Sequence, residues 1–293
     1  MNTAKKTALI TGANTGLGFE MASALAAQGY QVIVAGRNPD KVAEAMARIK
    51  DQTNTASLEA GIVDLNQLAS VRDFASHIKT RHVTLDLLIN NAGVMVPPAG
   101  QTADGFETQF GVNFVAHFAL TGHLMPLLEA ADAARVVSLS SIGHRGAAID
   151  FDNLRLEKPY DPWREYGQSK LADLIFAFEL NRRLRDAGSA VQSLAAHPGV
   201  SQTELTRNLG AVPDHISFMS AADGAAPALV AATSAAVQGG DFWGPDGPEE
   251  RSGRPGLAEA DPAALDPETA KRLWQWAEDA TGLHYPTGAE RAM

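Results

Sequence analysis

The chain of 293 residues contains no cysteine. Disulfides, thiolate nucleophiles and cysteine-based metal sites are therefore excluded. Aromatic residues are scarce, at 6%, a composition that favours close helix–sheet packing over an aromatic-rich binding surface. Positive charge is in deficit: 24 Lys and Arg stand against 34 Asp and Glu, a net −10. Such a chain repels phosphate backbones and anionic lipid, so no nucleic acid and no membrane surface is expected as a partner. The eight histidines form neither an HExxH motif nor a tight ligand cluster, so no metal is expected. Long hydrophobic runs are also missing. The longest uncharged stretch, Thr108 to Leu128, holds Gln109, Asn113, His117, His123 and Pro126 and reads as a buried helix rather than a membrane span. No segment reads as a signal peptide or membrane anchor, and the expected compartment is the cytoplasm.

What is present is enough apolar material, 45% of the chain, for a sizeable core. Short apolar runs at 7–11, 31–35, 58–63, 85–90, 135–140 and 191–196 alternate with helical patterns at about 16–28, 39–50, 105–130 and 163–187. Pro39 suits a first helical turn, Asn66 is placed to cap the helix after the third run, and Gly188 to end the last of these helices. Strands separated by helices of ten or more residues imply right-handed βαβ units and a parallel sheet. No linker or composition break divides the chain, which reads as one domain over 1–293. Gly244 to Pro267 carries five of the fifteen prolines and reads as irregular surface chain, followed by an amphipathic helix at about 267–281.

Three features carry chemistry. The first strand enters Thr11-Gly12-Ala13-Asn14-Thr15-Gly16-Leu17-Gly18, a glycine-rich turn into a helix. A tight turn with positive φ, close backbone approach and free helix N–H groups are what a diphosphate requires. Arg37 follows the second strand, and no acidic residue precedes Asp40. At that position of a dinucleotide fold an acidic residue binds the ribose 2′-hydroxyl, whereas an arginine accommodates a 2′-phosphate, so NADP(H) is expected in preference to NAD(H), with Asn38 as a second contact. Tyr166 and Lys170 stand at i and i+4, on one helix face, where the ammonium favours the phenolate. A phenol so tuned can work as an acid or base near neutral pH.

The order of these features with Asn90-Asn91-Ala92-Gly93, Asn113, Ser140-Ser141 and Pro198-Gly199 resembles the short-chain dehydrogenase/reductase family over roughly residues 5 to 245. The resemblance implies a Rossmann-type, doubly wound α/β sheet and hydride transfer between the dinucleotide and a small-molecule alcohol/ketone substrate. It implies Tyr166 as proton donor or base, Lys170 as its tuner and a ribose contact, Ser141 as the holder of the substrate oxygen, and Asn113 as support for a water relay. It implies Gly12, Asn14, Thr15, Gly16, Leu17 and Gly18 as the pyrophosphate turn and Asn91-Ala92-Gly93 on the adenosine ribose side. Asp64 and Leu65 are implied at the adenine, and Pro198, Gly199 and Thr203 near the carboxamide or diphosphate. Ser140 reads as a cap or turn residue, His144 as a loop or pocket-rim residue, and His197 as structural.

Ser141 and Tyr166 are 25 residues apart, where the family commonly has about a dozen. With this insert, Tyr166-Gly167-Gln168-Ser169-Lys170-Leu171-Ala172 and Ala196-His197-Pro198-Gly199-Val200 are similar to the retinol dehydrogenase-like branch. The apolar residues of Ser201 to Ser220, with Met95, Val96, Pro97 and Pro98, suggest a hydrophobic substrate. Two alternatives stand beside this reading: reduction of an activated C=C bond at the same site, and a non-catalytic dinucleotide-sensing protein. The apolar stretch Thr108 to Leu128 and the helix after Tyr166, the usual dimer seam of the family, suggest a homodimer.

Overall fold

A computed structural model describes residues 5–201 and 218–285. Six strands follow the apolar runs closely: β1 (Thr7–Thr11), β2 (Gln31–Gly36), β3 (Ser57–Ile62), β4 (Leu87–Asn90), β5 (Arg135–Leu139) and β6 (Gln192–Ala196). Two more, β7 (Phe242–Pro245) and β8 (Pro255–Leu257), complete one sheet in the order β3-β2-β1-β4-β5-β6-β7-β8. All neighbouring pairs are parallel except β7 with β8. Because side chains alternate along a strand, the central strands are apolar on both faces. Leu9, Ile33, Leu88 and Val136 enter one core, and Ala8, Ile10, Val32, Val34, Ile89 and Val137 the other. Helices α1 (Gly16–Ala27), α2 (Pro39–Gln52) and α6 (Ala221–Thr233) supply the second layer. Helices α3 (Leu68–Arg81), α4 (Thr108–Glu129), α5 (Pro162–Asp186) and α7 (Pro267–Thr281) cover the first. This single-domain, doubly wound sheet is the Rossmann-type fold expected from the sequence.

The helix ends show why these segments start where they do. Asn38 Oδ1 accepts from the Lys41 amide at 3.0 Å and Pro39 opens α2. Asp161 caps α5 through the amides of Trp163 and Arg164, and Gly188 takes φ +69° just past its end. For α3 the expected cap from Asn66 is replaced: Asp104 Oδ2, from a distant loop, accepts the Leu68 amide at 2.8 Å. Helix α4 is long and apolar enough to cross a membrane, yet its apolar window is nearly all buried in the domain. It is a core helix.

The segment 244–267 is not irregular throughout. Its first two residues end β7, and Pro255–Leu257 pairs antiparallel with β7 in the register Trp243↔Leu257, Gly244↔Gly256 and Pro245↔Pro255. Proline suits this place, because β8 is an edge strand and Pro255 is its first residue.

After β8 the chain returns across the first layer. Trp274 on α7 is buried, stacked on Phe176 of α5 with centroids 6.0 Å apart and edge-on to Phe118 of α4 at 5.1 Å. Arg183 lies over the indole at 4.3 Å, and the Tyr285 hydroxyl donates to the Phe118 carbonyl at 2.6 Å. The other tryptophan of α7, Trp276, faces Phe106 and Phe110. Trp274→Ala would leave a large cavity between α4, α5 and α7, and we expect it to lower stability by about 3–5 kcal/mol. Urea unfolding of the two proteins, compared at equal m-value, is the check.

Candidate active site

Parallel strands deliver their carboxyl ends to one edge of the sheet, and ligands bind there where strand order reverses, here between β1 and β4. The glycine turn leaves β1 at that place. Gly12 has φ +65° and Gly16 φ +54°, left-handed values that disfavour a side chain. A Cβ on Gly18 would lie 2.3 Å from the Gly12 carbonyl oxygen and 2.6 Å from Asn91 Nδ2, so the helix start can close on the strand only with glycine. Thr15 precedes α1 in extended backbone and makes no side-chain cap bond. The first N–H groups of α1 are thus left to an anion. A turn without intruding side chains beside uncapped amides fits a dinucleotide diphosphate.

The turn is fixed to β4 by Thr11, which is fully buried. Its hydroxyl accepts the amides of Asn91 at 2.9 Å and Ala92 at 3.0 Å, and faces His117 Nε2 at 2.9 Å. Asn91 Nδ2 returns a bond to the Thr11 carbonyl at 2.7 Å. His117 Nδ1 lies 2.7 Å from the Asn113 carbonyl and must carry the proton there. Nε2 is then the acceptor for the Thr11 hydroxyl, and the tautomer is settled. Burial holds this imidazole neutral, down to about 4.

Asn113 lies inside a π-helical turn, Gly111–Val115, that interrupts α4. Such turns displace backbone and recur at functional sites. The Asn113 side chain accepts the Val94 amide at 2.8 Å and donates to the Val94 carbonyl at 3.0 Å and to Ser169 Oγ at 2.9 Å. It joins the loop after β4 to α5, while its backbone carbonyl is met by His117.

The 25-residue separation of Ser141 and Tyr166 closes in space around Gly143. Ser141 Oγ accepts the Gly143 amide at 3.1 Å, and a Cβ on Gly143 would lie 3.1 Å from the Tyr166 ring and 3.4 Å from Ser141 Oγ. Tyr166 is buried, and the Lys170 ammonium lies 5.9 Å from its ring centroid. Lys170 Nζ donates to the Leu139 carbonyl at 3.0 Å and to Asp173 Oδ2 at 2.9 Å. Burial opposes the charge on Lys170, but the Asp173 carboxylate, with Tyr166, outweighs it and keeps the ammonium charged, its pKa above the ordinary value. Ser140 is neither the cap nor the turn residue expected: its hydroxyl donates to the Lys170 carbonyl at 2.7 Å and ties the end of β5 to α5.

Arg37 is exposed at the end of β2 and makes no ion pair among the described residues. The side chain of Asn38 is engaged in the α2 cap, so it does not stand free as the expected second phosphate contact. Asp64 shapes the loop after β3, its Oδ1 accepting the Asn66 amide at 3.0 Å, beside the buried Leu65. Pro198 and Gly199 (φ +61°) turn the chain after β6. Thr203 lies outside the described residues.

His144 is not on the pocket rim. It is fully buried, with Nδ1 2.6 Å from the Ser141 carbonyl and Nε2 accepting the Asp261 amide at 3.1 Å, because the chain before α7 folds over it. His197 is structural as read: Nε2 meets Glu250 Oε2 at 2.8 Å, and Nδ1 accepts the Gly199 amide at 3.2 Å. Asp173 and His117 were absent from the residues read as functional. Their signal was their spacing, three past Lys170 and four past Asn113.

A family model described as short chain dehydrogenase matches residues 6–213. The chain belongs to the short chain dehydrogenase family. It is 38% identical to human retinol dehydrogenase 13 over 98% of this chain and 88% of that protein, which places it in the retinol dehydrogenase-like branch. An uncharacterised Mycobacterium paratuberculosis protein shares the fold at a TM-score of 0.82 and 39% identity, covering 97% of this chain and 96% of the other. A Shigella flexneri short-chain dehydrogenase, solved with NADP, superposes at a TM-score of 0.65 and 25% identity, covering 81% and 95%. The protein is thus an oxidoreductase of the class that binds a nicotinamide dinucleotide and acts on an alcohol/carbonyl pair.

His117 gives the dehydrogenase a testable acid response. Its folded pKa of about 4 lies below the ordinary 6.5, so in acid the unfolded chain takes up a proton that the folded chain refuses. The stability it contributes is complete above 6.5 and is lost as pH falls towards 4, at about 1.4 kcal/mol per pH unit for one proton. We expect His117→Gln to remove about one proton from the uptake on unfolding in that window. Urea unfolding across pH 4.5–6.5 measures it, and an unchanged slope would refute the assignment.

Proposed function

We propose that the chain is an NADP(H)-dependent dehydrogenase/reductase that interconverts the carbonyl and alcohol of a hydrophobic small molecule. The observation that carries this reading is the meeting of Tyr166, Ser141 and Lys170 around Gly143 and the end of β5, beside the glycine turn of β1. The dinucleotide, when bound, supplies or accepts the hydride. The chain binds, orients and moves the proton. Gly12, Asn14, Thr15, Gly16, Leu17 and Gly18 would hold the diphosphate against the α1 amides. Asn91, Ala92, Gly93, Asp64 and Leu65 would line the adenosine side, with Pro198, Gly199 and Thr203 towards the nicotinamide. The Tyr166 hydroxyl passes a proton to or from the substrate oxygen, the Ser141 hydroxyl donates a hydrogen bond to that oxygen, and Lys170 favours the phenolate. Asn113 keeps the loop after β4 and α5 in register.

The apolar substrate is supported by the exposed ring of Trp163, edge-on to Tyr166 at 6.3 Å, and by the apolar Met95, Val96, Pro97 and Pro98 after the Asn-Asn-Ala-Gly turn, while most of Ser201 to Ser220 lies outside the described residues. The human relative is named for retinol, itself an apolar alcohol. The homodimer belongs to the proposal only in a narrowed form. α7 of the same chain covers the Phe118 and Phe176 face of α4 and α5, so two chains would have to pair through another surface.

Tyr166→Phe removes the proton donor and leaves the ring in place. We expect kcat to fall at least about 10²-fold with little change in dinucleotide affinity, and wild-type turnover in that variant would sink the assignment. A screen of NADPH oxidation over ketones and aldehydes of graded size supplies the substrate.

Preference for NADP(H) rests on Arg37, a guanidinium with no ion pair among the described residues where the adenosine ribose would sit, and on the NADP held by the Shigella relative. A charge-assisted hydrogen bond there is worth about 1.5–3 kcal/mol. NADPH should therefore bind at least about tenfold more tightly than NADH, with Arg37→Ala erasing most of the gap. Fluorescence titration with both dinucleotides is the measurement, and equal affinities in the wild type would overturn the preference.

A further inference from the structure

Next to the acid/base pair stands a third ionisable group that the proposed reaction does not use. Asp173 lies one helical turn past Lys170 on α5, at i+3, with its carboxylate 2.9 Å from the ammonium. Both side chains are buried, at 7% and 6% relative exposure. The residues between and after them, Leu171, Ala172, Leu174 and Ile175, are apolar core. An aspartate is costly here unless it is paired: burial raises the Asp173 pKa to about 7 in spite of the Lys170 ammonium, so the carboxylate charge is present from about neutrality upward. The ammonium has three N–H groups. One is taken by the Leu139 carbonyl of β5 and one by Asp173, which leaves a single donor for the site.

We propose that Asp173 is a positioning residue for the reaction: its carboxylate fixes the Lys170 ammonium under the end of β5 and offsets part of its positive charge, so that Tyr166 exchanges its proton at a higher pH than Lys170 alone would set. The inference rests on the Tyr166 and Lys170 roles proposed above. The physical step is short. A cation beside a phenol lowers its pKa, and an anion behind that cation takes back part of the effect. The groups around the pair are few. Tyr166 shares its helix, β5 contributes the neutral Leu139 carbonyl, and from α4 His117 feels the Lys170 charge while burial keeps its imidazole neutral above about 4. Proton exchange near and above neutrality therefore belongs to Tyr166, Lys170 and Asp173 together.

The test is Asp173→Asn in the full chain, read in two ways. The pH profile of alcohol oxidation should move its rising limb down by about one pH unit or more. The near-ultraviolet phenolate absorbance, with Tyr166→Phe backgrounds subtracted to remove the other tyrosines, should move by a similar amount without substrate or turnover. Asp173→Glu keeps the charge and should restore the wild-type midpoint, whereas a merely structural role would leave the midpoints of all three proteins alike. An unchanged or raised phenol midpoint in Asp173→Asn overturns the proposal. If the amide variant does not fold, Asp173→Ser removes the same charge and carries the same test. Failure of the underlying reading looks different: Tyr166→Phe would keep its turnover, while the phenolate titration would still decide what Asp173 does.

Discussion

The Thr11 hydroxyl is the junction on which the site depends. It closes β1 against the chain leaving β4 by accepting two adjacent amides, and it donates its one proton to His117 on α4. With no capacity left over, this group fixes three elements at once: the glycine turn, the Asn91-Ala92-Gly93 loop and the π-helical turn that holds Asn113. Each of these sits where strand order reverses, and the crevice there is a consequence of topology. The close approach of the glycine turn to the Asn91-Ala92 loop, however, depends on Thr11 and on the absence of side chains at Gly12 and Gly18. A buried network of this kind is worth having only if every member is satisfied, and here the histidine tautomer makes the count close.

How much of this was legible in the sequence follows from the range of each interaction. The glycine turn and the Tyr166/Lys170 pair are local patterns, complete within eight and five residues, and the fold places both as read. The six strands were legible because their apolar runs were bounded by turns and helical periods. Ser141 could be placed by position but not by distance, since Tyr166 lies 25 residues further along the chain. The spacing of Asp173, three past Lys170, does not by itself set it apart, because an acidic residue on a long helix ordinarily reads as a solvent face. Only the burial of its neighbours shows that this face looks inward. The stretch after Gly244 reads as irregular for a compositional reason: prolines and glycines mark loops, yet the three-residue edge strand Pro255–Leu257 accepts them. Nothing in the sequence marked the π-helical turn. The cap of α3 by Asp104, 36 residues from Leu68, was equally beyond local pattern.

The C-terminal third has two tasks that meet behind the active site. Arg145 pairs with Glu250 at 2.7 Å, Glu250 holds His197, and the Asp261 amide holds His144. The two histidines are anchored to the tail on one side and to the loops after β5 and β6 on the other. Their burial depresses both imidazoles, His197 to about 4, so they act as neutral hydrogen-bonding struts. Beyond them α7 covers the aromatic face of α4 and α5. One stretch of chain thus steadies the Ser141 loop and also closes the core under it.

Catalysis in such a site draws on groups that are already oriented before substrate arrives, and the pattern of satisfied and unsatisfied bonds shows which groups those are. Asn113, Ser140, Ser169, His117 and Thr11 are engaged with protein partners. Their geometry is fixed and they have little left to offer a ligand. The Ser141 hydroxyl keeps its donor, Lys170 keeps one N–H, and the Tyr166 hydroxyl has no hydrogen bond among the described residues. These three unspent donors all stand within the reach of Gly143 and the end of β5. A substrate oxygen placed there would meet two neutral hydroxyl donors, with a cation behind the more acidic of them. That is the arrangement a developing alkoxide needs.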